Sequence, residues 1–141
     1  MNHYLPVQKL VLFLFFCCSW VDVFAQWTDD FSDGEFLSNP AWIGDTADFM
    51  VNSSGQLQLQ ATDPSTSRLS AAVPLADLSN VEWRFTLQLA FSPSSSNYAR
   101  VYLVSDRDDF SGNGYFLQFG EALSNDAVEL FRQDGSNYVS V

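Results

Sequence analysis

Beyond residue 25 the chain contains no cysteine, no lysine and no histidine. Cys17, Cys18, Lys9 and His3 all lie in the first 25 positions. The remainder therefore cannot form a disulfide, a zinc site of imidazole and thiolate, a Ser-His-Asp triad or a lysine Schiff base. Cations are also scarce there: Arg68, Arg84, Arg100, Arg107 and Arg132 stand against an acidic excess that gives the whole chain a net charge of −11. Such a chain repels phosphate backbones, so nucleic acid is not expected as a partner. No stretch of helical periodicity long enough for a helix occurs after residue 25, and there is no internal repeat and no linker.

What is present is a large apolar fraction, 47% of 141 residues with 16% aromatic, enough for a packed core. Residues 1–25 have the layout of a secretory signal peptide: a short n-region with Lys9, an apolar run Leu10–Cys18, and Val23-Phe24-Ala25 before a cut ahead of Gln26. Asp22 interrupts the apolar run before it can span a bilayer. Phe16 before Cys17 does not suit a lipidation site. The expected product is residues 26–141, secreted or held at the cell surface, touching membrane only in transit.

The secreted part reads as strands. Residues 81–91 alternate, with Val81, Trp83, Phe85, Leu87, Leu89 and Phe91 on one face and Glu82, Arg84, Thr86 and Gln88 on the other. Trp83, mid-strand on the apolar side, is expected in the core. Residues 56–61 alternate after the turn Asn52-Ser53-Ser54-Gly55. Further strands are expected at 99–105, 115–119 and 128–132, with shorter ones at 49–51 and 68–73. In the first of these, Ala99, Val101 and Leu103 oppose Arg100, Tyr102 and Val104. Residues 92–97 and 106–113 are turn-rich breaks. Many strands without helices imply an all-β, antiparallel two-sheet sandwich. Residues 137–141 read as the opening of another strand, so the sandwich is expected to be incomplete at the C-terminus.

Three features could carry chemistry. Carboxylates are the only catalytic groups left, but no strand carries two acids two residues apart, the spacing by which sandwich glycosidases flank a glycosidic bond, so no catalytic residue is assigned and the chain is read as a non-enzyme. The loop from Asp106 to Gly114 offers Asp106, Asp108, Asp109 and Asn113 as oxygen ligands for calcium, without EF-hand spacing. Solvated turns are the plainer account of these acids. Finally, Arg84, Gln88, Arg100, Tyr102 and Gln118 are expected on one outward sheet face, where an aromatic ring stacks on a sugar and planar polar groups bond its hydroxyls. Neutral sugars are the expected ligands, because the acidic chain opposes anions. An ordinary polar outer face is again the plainer account.

Gln26-Trp27-Thr28-Asp29-Asp30-Phe31-Ser32-Asp33-Gly34, Trp42, Gly55-Gln56-Leu57-Gln58-Leu59, Asn97-Tyr98-Ala99-Arg100-Val101-Tyr102 and Gly114-Tyr115-Phe116-Leu117-Gln118-Phe119-Gly120 together resemble concanavalin A-like (laminin G-like) domains of bacterial secreted proteins. The nearest likeness is to the N-terminal region of lamin-tail-domain-containing surface proteins. The resemblance implies a jelly roll, an extracellular location and a non-catalytic binding or adhesive role toward glycans or cell-surface components. Such proteins continue through further strands, which agrees with a truncated module. Two other readings remain: a fragment of a secreted carbohydrate-active enzyme whose catalytic residues lie beyond Val141, and a structural spacer stabilised by calcium.

Overall fold

The computed structural model describes residues 27–75, 77–120 and 128–141. The expected signal peptide, residues 1–25, and its expected cut before Gln26 lie outside the described residues. The architecture is all-β: β1 (Trp42–Gly44), β2 (Phe49–Val51), β3 (Leu57–Leu59), β4 (Leu69–Ala71), β5 (Ala99–Ser105), β6 (Gly114–Phe119), β7 (Val128–Asp134) and β8 (Asn137–Ser140), with one 3-10 turn at Thr46–Asp48. They form antiparallel sheets of order β1-β4, β2-β3 and β5-β6-β7-β8.

The two small sheets follow from local turn chemistry. In the β2–β3 hairpin the Asn52 side-chain oxygen accepts from the amides of Ser54 and Gln56 at 2.9 and 3.1 Å, which satisfies the turn from within. β1 was not expected from the sequence. It is only three residues long, too short to display a period, and is positioned by a distant contact: the Trp42 indole N–H donates to Asp29 at 2.8 Å. That same carboxylate accepts the amide of Phe31 at 2.9 Å. Part of the acidic segment at 29–35 is thus a structural turn.

The four-stranded sheet is a continuous meander. Its alternation divides the side chains cleanly. Arg100 and Tyr102 of β5, Phe116 and Gln118 of β6, Glu129, Phe131 and Gln133 of β7, and Tyr138 of β8 share one face by register. Val101, Leu117, Phe119, Leu130 and Val139 share the other. One expectation is corrected here. A register shift between Tyr102 and Val104 pairs Val104 with Tyr115, so Val104 leaves the Arg100 face and joins the apolar one. β7 and β8 turn tightly at Gly135, whose φ of 57° is the left-handed conformation that glycine adopts without penalty.

Residues 81–91 differ most from expectation. They form no strand, because no backbone ladder pairs them among the described residues. Trp83 and Phe85 remain 39% and 45% exposed, so Trp83 is not core. Alternation shows that a segment has two unlike faces, but a strand also needs a neighbour to bond. Phe85 nevertheless meets Phe119 edge-on at 6.3 Å between centroids, so the segment touches the sheet through a ring of its apolar face.

Candidate functional site

The centre of the Arg100 face is Phe116, which is fully buried. Phe131 stacks on it at 5.2 Å, Tyr102 lies tilted at 4.9 Å, and Tyr138 meets it edge-on at 5.5 Å. Each pair joins same-face neighbours on adjacent or next-adjacent strands, the unit from which sheet stability is built.

Polar groups then fasten the cluster. Gln133 is 3% exposed and fully satisfied. Its Oε1 accepts the Tyr102 hydroxyl at 2.7 Å, and its Nε2 donates to the carbonyls of Phe110 and Gly135 at 2.7 and 2.8 Å. Phe110, at the tip of the β5–β6 loop, stacks on Tyr102 at 4.2 Å. Burial pushes the Tyr102 phenol above its ordinary value, partly opposed by the neighbouring Arg100 charge. Tyr102 is therefore an internal strut: both ring and hydroxyl are engaged within the protein, and it does not present a free ring to a sugar.

Arg100 lies half-buried against this cluster. Its guanidinium carbon lies 4.6 Å from the Phe116 centroid, 5.0 Å from Tyr98 and 4.8 Å from Tyr138. Rings at these distances hold a cation through their electron-rich faces. The Nε–H donates to Gln118 Oε1 at 3.0 Å, and Gln118 is itself anchored by donating to the Gly120 carbonyl at 3.2 Å. Tyr98 and Tyr138 are 42% and 46% exposed. The outer surface of the face is therefore a guanidinium between two accessible tyrosine rings.

Of the residues expected on this face, the structure brings together Arg100, Tyr102 and Gln118. It does not bring Arg84 and Gln88 to them. Both lie in the unladdered 81–91 segment, and Arg84 is exposed and paired with Glu82 at 2.5 Å. Tyr98, Gln133 and Tyr138 escaped the sequence reading. Parity could have found the first, since positions 98, 100 and 102 alternate in step.

The expected calcium ligands are used differently. Asp106 accepts the amide and the side-chain N–H of Asn113 at 2.6 and 2.9 Å. Asn113 in turn accepts the Gly135 amide at 3.3 Å, so one polar chain ties the β5–β6 turn to the β7–β8 turn. Gly112 lies against Asp106 so closely that a Cβ there would collide with the carboxylate. Asp109 accepts the amide and hydroxyl of Ser111 at 2.9 and 2.7 Å, and the hydroxyl bond above all holds its carboxyl below the usual range. Asp106, Asp109 and Asn113 thus act as turn formers, and no group of three or more acidic, histidine or cysteine side chains that could hold a metal occurs among the described residues.

No protein-family model, no curated protein and no solved structure matches the chain.

Proposed function

We propose that the chain is a non-catalytic module of a secreted or cell-surface protein, of concanavalin A-like jelly-roll type, that binds glycan through the Arg100 face of β5–β8. The observation that carries this reading is the Tyr98–Arg100–Tyr138 surface. Two accessible rings flank a guanidinium whose position is fixed from below by Phe116 and from the side by Gln118. Aromatic faces stack on the C–H surfaces of sugars, and a fixed donor set selects among hydroxyl patterns. Preorganisation limits the rotamer entropy lost on binding. The sandwich part of the proposal is supported by the opposite face. Val101, Leu117, Phe119 and Leu130 are apolar and half-buried, and Phe85 from the amphipathic 81–91 segment rests on Phe119. A second layer on that side would leave the Arg100 face outward.

An open sheet face buries little of a ligand, so affinities should be about millimolar to micromolar. The test is a glycan array probed with the exported chain, with Tyr98→Ala and Tyr138→Ala as controls. Binding that both substitutions abolish supports the proposal. Binding that neither affects places the site elsewhere, and silence across a broad array refutes the glycan reading.

A further inference from the structure

We infer that the Arg100 site selects a carboxylated sugar, a uronic acid residue within a polysaccharide, over its neutral counterpart; this rests on the glycan reading above. The argument begins with charge. Among the described residues the one ion pair is that of Arg84 with Glu82, and no carboxylate lies within ion-pair reach of Arg100. The guanidinium is instead surrounded by the Tyr98, Phe116 and Tyr138 rings. These hold it in place and partly withdraw it from water without cancelling its charge. A half-buried cation supported by rings is poised to gain from an incoming anion, because the attraction acts at reduced dielectric.

The geometry favours a carboxylate in particular. One donor of the guanidinium goes to Gln118. The remaining terminal donors form part of a rigid planar fork, which matches the two oxygens of a carboxylate. The exposed rings of Tyr98 and Tyr138 beside the guanidinium supply aromatic surface against which a pyranose bearing that carboxylate can rest. The chain's net charge of −11 does not forbid this. Charges beyond about 8 Å are largely screened at physiological ionic strength, so the local field decides. The acid on this face closest in register is Glu129, paired with Gln118 in the β6–β7 ladder. It stands one strand beyond the Gln118 side chain and should weaken, without abolishing, the attraction.

The test compares polygalacturonate with the same polymer after full methyl esterification, which removes the charge and keeps the ring, using calorimetry on the exported chain. The acid form is expected to bind about tenfold or more tightly, the value of roughly one charge-assisted pair. Arg100→Gln should erase that difference, Arg100→Lys should shrink it because an ammonium keeps the charge but lacks the fork, and Glu129→Gln should enlarge it. Glu129→Gln leaves the ring cluster intact, so it decides the matter even if the Arg100 variants fail to fold. Equal affinity for the two polymers would overturn the carboxylate inference and leave the glycan reading standing. Binding of neither, with no ligand on the array, would overturn both. Dextran sulfate binding as tightly as polygalacturonate would show charge without geometry and would also overturn the inference.

Discussion

The Tyr102 hydroxyl donates to the Gln133 side-chain oxygen at 2.7 Å, joining residues 31 apart across the four-stranded sheet. Around this bond the interior of the Arg100 face is organised, because the other end of the Gln133 amide holds the Phe110 and Gly135 carbonyls. Gln133→Leu would keep the volume and strand all three partners. Stranding a buried polar group costs about 1–3 kcal/mol, so the variant should lose roughly 3 kcal/mol or more. Urea unfolding measures it; a loss below about 1 kcal/mol would mean water replaces the amide.

The same bond sets an alkaline limit. Burial raises the Tyr102 phenol above its ordinary value of 10.0. In the unfolded chain Tyr102 ionises near that value; in the fold it keeps its proton to higher pH. The stabilisation is therefore fully present below pH 10.0 and is lost as pH rises through the folded-state value. Tyr102→Phe should flatten the stability–pH curve above pH 10.0, while lowering stability at neutral pH by about 1 kcal/mol for the lost hydrogen bond. Thermal melts from pH 8 to pH 11 check both.

Asp106 acts on the loop that carries Phe110 to Tyr102. Asp106→Ala removes two bonds to Asn113 and should cost about 1–2 kcal/mol. Addition of calcium should change neither the wild-type nor the variant melting temperature, since the carboxylate is engaged within the turn. A rise of several degrees with millimolar calcium would restore the metal reading of this loop.

Phe116 and Trp83 make an opposed pair. Phe116 is fully buried, so Phe116→Ala should cost about 3–5 kcal/mol. Trp83 is 39% exposed and in no ladder, so Trp83→Ala should cost about 1–2 kcal/mol, less than burial in a core would demand. Equilibrium denaturation of the two variants ranks them. A larger loss at Trp83 would mean that residues 81–91 are packed as a core strand.

Much of the strand pattern was legible because alternation and turn residues are local signals. β2 and β5 fall on their expected limits, and β3, β4, β6 and β7 within a few residues of them. What failed was everything that depends on partners. Residues 81–91 have the strongest alternation in the chain, yet a period does not say which backbone will bond them. β1 depends on Trp42 reaching back to Asp29, which no short window contains. At the site, parity correctly placed Arg100, Tyr102 and Gln118 on one side, but not which ring would be covered. Tyr102 is capped by Phe110, a loop residue, while Tyr98 and Tyr138 at the sheet margin stay open. Asp106 and Asp109 looked like metal ligands because composition does not reveal that Asn113 and Ser111 return to engage them.

The most direct measurement is a titration of the chain with mixed plant and bacterial oligosaccharides, followed through the ring resonances of its tyrosines by NMR. The expected result is saturable shifts at Tyr98 and Tyr138, with Tyr102 nearly unmoved because its ring is enclosed by Phe110 and Phe116. Shifts confined to other parts of the chain, or none at saturating sugar, would contradict the account.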